Sequence, residues 1–139
     1  MVAKSKTIRF ERSGSVGSIV LANPPYNRID TIYPIALRDS VHEASESDIR
    51  VLVVRAEGPN FSLGGEVRDW PGKDVNWFRT FVAEVNTSYR AIEALRVPTV
   101  IHEADAHPGL ANRIVTSRTF WRYRGTFGSR CSTVDSNAS

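Results

Sequence analysis

Phe61-Ser62-Leu63-Gly64-Gly65-Glu66 is the segment of this chain best suited to chemistry. It follows a short apolar, β-branched run (Ile49, Val51, Leu52, Val53 and Val54) that Arg55-Ala56-Glu57-Gly58-Pro59-Asn60 interrupts. A buried strand that empties into a glycine pair can aim backbone N–H groups at something negative. Glycine also lets a ligand approach the main chain closely. The competing reading is a plain turn between a strand and a helix, because Gly-rich turns are common punctuation. Other candidates carry less. In His102-Glu103-Ala104-Asp105-Ala106-His107, the Glu103, Asp105 and His107 side chains would share one face of an extended segment. Helical zinc sites space their histidines four apart, so a solvated polar loop is expected there and no metal. His42 stands among polar neighbours and reads as surface. Cys131 has no histidine near it in sequence, which argues against a nucleophile. The cluster Arg118-Thr119-Phe120-Trp121-Arg122-Tyr123-Arg124-Gly125-Thr126-Phe127 could stack on single-stranded nucleic acid, but an accidental cluster is the expectation.

The elements that must position the glycine pair can be read from pattern. Residues 7–11 and 16–22 read as two strands around Ser13-Gly14-Ser15, forming a hairpin. Asn23-Pro24-Pro25-Tyr26-Asn27 cannot continue a central strand, because consecutive prolines remove ladder donors. A helix fits residues 31–45, with Asp30 or Thr31 as cap and Pro34 tolerated in the first turn. Its apolar face would carry Ile32, Ile35, Ala36, Val41 and Ala44. After the turn at Trp70-Pro71-Gly72, a longer helix over residues 74–95 shows the strongest period in the chain. Val75, Phe78, Val82, Val85, Tyr89 and Ile92 recur every three or four residues, a stripe expected in the core or at a subunit contact. Arg96-Val97-Pro98 ends that helix, and Thr99-Val100-Ile101 opens another strand. Residues 104–139 show no sustained period, and that tail reads as irregular and weakly folded for want of patterned apolar surface.

Three stretches, in order, resemble the crotonase superfamily, the enoyl-CoA hydratases and isomerases. Residues 55–66 look like its first active-site loop: a small residue, Gly, two variable residues, Phe, Ser or Cys, a small residue, Gly, any residue, Asp. Ile19-Val20-Leu21-Ala22-Asn23-Pro24-Pro25-Tyr26-Asn27-Arg28-Ile29-Asp30 resembles the family's strand followed by Pro-x-x-Asn-Ala-Leu-Asp/Asn. Val97-Pro98-Thr99-Val100 resembles the entry to its next strand. The resemblance implies an α/β fold: the N-terminal half of a crotonase-type ββα spiral over residues 1–101, with a divergent tail over 102–139. It implies lyase or isomerase chemistry on an acyl-CoA thioester, in which two backbone N–H groups stabilise an enolate. The first donor would be the N–H of Gly65. Leu63, Gly64, Glu66 and Val67 would flank the bound acyl-CoA, and Arg28 and Ile29 would lie along its pantetheine and phosphate path. Glu66 stands where the family usually has Asp, and Arg28 where it often has Ala.

After Val100 the likeness ends. The family's Gly-Gly-Gly-x-Glu-Leu-Ala stretch, which supplies the second donor and an acid/base glutamate, has no counterpart, so a truncated chain without acid/base residues is expected. Reading one base beyond the Trp121 codon permits a Gly-rich stretch close to that motif, the basis for a hypothesis that the tail is out of frame. The resemblance implies no resident cofactor, since coenzyme A enters as part of the substrate, and a homo-oligomer, trimeric as in the family. The alternative is a non-catalytic CoA-binding or interaction module, its basic tail contacting nucleic acid.

At 139 residues the chain has one domain's length, and a hydrophobic content of 41% is ordinary for a globular protein. No run reaches the roughly 18 apolar residues that span a bilayer, and no signal-like stretch opens the chain. One cysteine cannot form an internal disulfide, and a reducing cytoplasm is the expected compartment. The formal net charge of +3 comes almost wholly from arginine, with lysine only at Lys4, Lys6 and Lys73. Such a balance suits an anionic ligand, although most single arginines should be solvated.

Overall fold

The computed structural model describes residues 7–103 and 120–124. Its centre is a five-stranded sheet in the order β1-β2-β3-β4-β5. Strands β1 (Ile8–Ser13) and β2 (Val16–Leu21) pair antiparallel as the expected hairpin. Strands β3 (Val51–Ala56), β4 (Thr99–Glu103) and β5 (Phe120–Arg124) each join parallel to the one before. Parallel neighbours need crossover connections, and helices normally supply them. Here α1 (Tyr33–Ser45) joins β2 to β3, and α2 (Val75–Glu93) joins β3 to β4. Strand β3 shows why its sequence is an unbroken apolar run: Leu52, Val53 and Val54 are all buried, so both faces are covered.

The helix-facing side of the sheet (Ile8, Ile19, Leu21, Leu52, Val54 and Ile101) packs on Leu37, Val41, Tyr89 and Ile92 to form the core. On the other side, Arg9 and Arg55 stand in register on either side of Val20. Arg9 pairs with Glu11 at 2.7 Å and with Glu57, and Arg55 reaches Glu11 at 2.8 Å. The bond to Glu57, then that to Glu11, raises the Arg9 pKa, and the bond from Arg9 lowers that of Glu11.

Several expectations need correction. Helix α1 starts at Tyr33, two residues late, because the Asp30 Oδ1 accepts from the amides of Ile32 (3.1 Å) and Tyr33 (2.9 Å). Its buried face is Tyr33, Pro34, Ala36, Leu37, Ser40, Val41 and Ala44, which leaves Ile32 and Ile35 exposed. The buried face follows the sheet and α2, and Ile32 precedes the helix altogether. Helix α2 begins as predicted after Asp74, whose Oδ1 accepts from the Trp77 amide at 2.8 Å. Only the second half of its stripe is core: Tyr89 and Ile92 are buried, whereas Val75 and Val82 are 65% and 47% exposed. Ser88 Oγ donates to the Pro34 carbonyl at 2.9 Å and draws the buried half against α1. Strand β4 runs on through His102 and Glu103, and Phe120–Arg124, within the stretch expected to lack pattern, is a strand. Asp105, His107 and Cys131 lie outside the described residues. Among the described residues no group of three or more His, Cys, Asp or Glu could hold a metal, and no helix could cross a membrane. His42 is exposed, as predicted.

Candidate functional site

Strand β3 hands the chain to residues 57–66, and β2 hands it to residues 22–30. These two loops are sewn together. Glu57 N–H donates to the Leu21 carbonyl at 2.8 Å and carries the β2–β3 ladder one residue past the strand ends. Beyond it, Asn27 takes over. Its side chain is buried, its φ is 45°, and each of its polar atoms is used. Oδ1 accepts from the Asn23 amide at 2.9 Å, and Nδ2 donates to the carbonyls of Glu57 (2.9 Å) and Asn60 (2.8 Å). The Asn27 carbonyl accepts from Ser62 Oγ at 2.7 Å, and Asn60 Nδ2 returns a bond to the Pro25 carbonyl at 2.8 Å. Asparagine is the side chain that best tolerates positive φ outside glycine. Phe61 and Ser62, both buried, anchor the second loop from below.

From there the two loops run side by side. Leu63 N–H donates to the Tyr26 carbonyl at 3.0 Å. Ile29 and Gly65 then form a parallel bridge: Ile29 N–H donates to Gly64 O, and Glu66 N–H donates to Ile29 O, both at 2.9 Å. In an extended segment successive amides face opposite sides. Since Gly64 O and Glu66 N–H face Ile29, the Gly65 N–H faces away from it. Among the described residues that amide donates to nothing.

Both glycines are required, for different reasons. Gly64 has φ +89°, a region other residues rarely enter, and the space where its Cβ would sit is open. Gly65 is a steric case. A Cβ there would fall 2.7 Å from Trp70 Cζ2, so the indole lies against the bare backbone. Trp70 also meets Phe78 edge-on, with ring centroids 5.3 Å apart, which ties the loop to the first turns of α2.

Beside the free amide stands a charged group. Glu66 accepts three bonds from Arg68: Nε to Oε1 at 2.8 Å, Nη2 to Oε2 at 2.7 Å, and the backbone N–H to Oε1 at 3.3 Å. Its Oε2 also lies 3.9 Å from Arg28 Nε, and the Arg28 guanidinium sits 5.1 Å from the centre of the Tyr26 ring. The hydrogen bonds from Arg68, aided by the charge of Arg28, hold the Glu66 carboxyl at a pKa of about 2. A carboxylate so acidic is a poor proton acceptor at neutral pH.

The bridge therefore gathers Arg28, Ile29, Gly64, Gly65 and Glu66 in one place, with Leu63 and Val67 exposed on either side of the glycines. Ile29 is half-buried and packs on the rim of the core. Asn27 and Ser62 belong to the sequence motifs, which do not reveal their bonding roles; Trp70 reads only as part of a turn, and nothing in the sequence singles out Arg68. Asn27, two residues past the Pro24-Pro25 pair, is a turn-forming type that tolerates positive φ, whereas nothing local signals that Trp70 folds back on Gly65.

No family model and no curated protein matches this sequence. Solved structures do. An enoyl-CoA hydratase from Thermoplasma volcanium is 22% identical, with a TM-score of 0.72 over 89% of this chain and 53% of that one. Pseudomonas aeruginosa DspI is 21% identical, with a TM-score of 0.72 over 88% of this chain and 50% of that one. A protein described as an enoyl-CoA hydratase/isomerase (crotonase) from Legionella pneumophila is 18% identical, with a TM-score of 0.69 over 84% and 50%. The fold is the one these proteins share, and the chain spans about half their length.

Proposed function

We propose that this chain binds an acyl-CoA thioester, with the thioester carbonyl accepting a hydrogen bond from the Gly65 amide. The observation that carries the reading is that amide: rigidly placed by the bridge to Ile29, and committed to no acceptor among the described residues. Addition at Cβ or proton loss at Cα of an acyl thioester moves negative charge onto the carbonyl oxygen. A fixed donor at that oxygen stabilises the enolate more than the ground state, by about 3–4 kcal/mol for one donor. The donor costs no reorganisation, because the Gly64 and Glu66 backbones are held on either side of it. Leu63 and Val67 would cover the apolar part of the ligand, and Arg28 would meet its phosphates.

The reaction supported by the shared fold is that of an enoyl-CoA hydratase or isomerase. A second reading, binding without turnover, is favoured by one observation. The carboxylate adjacent to the amide, Glu66, is held in ion pairs and is too acidic to exchange protons near pH 7.

Titration of the full chain with acetyl-pantetheine, followed by the amide nitrogen and proton shifts of Gly65, tests the site. A saturable downfield proton shift at Gly65 is expected. Binding that leaves Gly65 unmoved while shifting other residues would overturn the reading. Hydration of crotonyl-CoA then separates turnover from binding alone.

A further inference from the structure

Glu66 occupies the guanidinium groups that an anionic ligand would need. Its position is set by the backbone, since its N–H is bonded to Ile29 and its side chain is only 14% exposed. Arg28, at 29% exposed, is stacked on Tyr26 and has little freedom. Arg68 differs: its side chain is 79% exposed, and its hydrogen bonds among the described residues go to Glu66 alone. One carboxylate thus stands between a stacked arginine and a solvent-exposed one. The three groups sum to a single positive charge.

We propose that Glu66 is a resident counter-anion that sets the selectivity of an anion site formed by Arg28 and Arg68, admitting multivalent phosphates and excluding singly charged groups. The physical ground is competition. A ligand with one negative charge offers Arg68 no more than Glu66 already does, and it must also give up translational freedom on binding. A diphosphate carries charge enough to engage both guanidinium groups at once, with bidentate geometry at each. Arg68 can swing to meet it at low cost, because its stem is solvated. The natural ligand, a phosphate-bearing nucleotide tail such as that of coenzyme A, rests on the acyl-CoA reading above. The site itself does not.

Calorimetry on the full chain with inorganic pyrophosphate and with acetate, at low and at physiological salt, tests this. Glu66→Gln keeps the backbone bonds and the side-chain shape while raising the local charge by one unit. It should tighten pyrophosphate about tenfold at low salt, steepen the salt dependence, and bring acetate binding into range. Arg68→Ala, at an exposed position, should weaken pyrophosphate about tenfold with an unchanged circular dichroism spectrum. Pyrophosphate bound no more tightly by Glu66→Gln than by the wild type, or by neither protein, would overturn the proposal. Acetyl-pantetheine, which has no phosphate, keeps the two readings apart. Loss of its Gly65 shift with the pyrophosphate pattern intact counts against the thioester site alone, and the converse counts against the counter-anion alone.

Discussion

Replacing Asn27 should cost more than any other change at the site, and the structure allows the cost to be divided. In Asn27→Ala the Asn23 amide and the Glu57 and Asn60 carbonyls each lose a partner. At about 1 kcal/mol for each bond, that is about 3 kcal/mol. Alanine must also adopt a φ of 45°, which costs a further 1–2 kcal/mol or so. The sum, about 4–5 kcal/mol, is comparable with the whole stability of a small domain. Asn27→Gly removes the backbone term and should lose only about 3 kcal/mol. Asn27→Asp keeps the acceptor toward Asn23 but sets a carboxylate against two carbonyl oxygens in a site only 2% exposed, and should be the worst of the three. Urea unfolding followed by tryptophan fluorescence gives the three values directly. If alanine cost under 1 kcal/mol, or glycine proved no better than alanine, the reasoning about this residue would be refuted.

Three further outcomes are expected. Gly65→Ala should destabilise by about 1–3 kcal/mol through overpacking against Trp70, with most of that cost absent in a Trp70→Ala background; equal costs in both backgrounds would exclude the contact as the cause. The side-chain carboxyl of Glu66, followed by carbon-13 shift, should titrate near pH 2, and Arg68→Ala should move its midpoint up toward the ordinary value of 4.5. Because the folded pKa is the lower one, its contribution is complete above about pH 4.5 and is lost as pH falls toward 2, a small effect because the Arg68 partner is largely exposed. Along α2, Ile92→Ala should cost about 2–5 kcal/mol and Val82→Ala well under 1, a contrast that chemical denaturation resolves.

Much of the fold is local information, and local information is legible. The β3 run, the hairpin, the start of α2 near Asp74 and the glycine pair could each be read from neighbours within a turn or a strand. Periodicity reports that a face is apolar but not what lies opposite it. Val75 and Val82 share a stripe with Tyr89 and Ile92, yet only the latter pair reaches α1 and the sheet. Strand β5 was illegible because an edge strand is made by pairing with a neighbour, and the short alternation Trp121-Arg122-Tyr123-Arg124 does not name β4 as that neighbour. The candidate site divides the same way. Residue types and order placed Gly64, Gly65 and Glu66 in one loop and Arg28 and Ile29 in another. Tertiary structure alone decided that Asn27 would bind residues 30 and 33 positions away, that Trp70 would press on Gly65, and that the Ile29 bridge would turn the Gly65 amide outward. The direction of an amide depends on which carbonyls its neighbours have already taken, and those belong to a distant part of the chain.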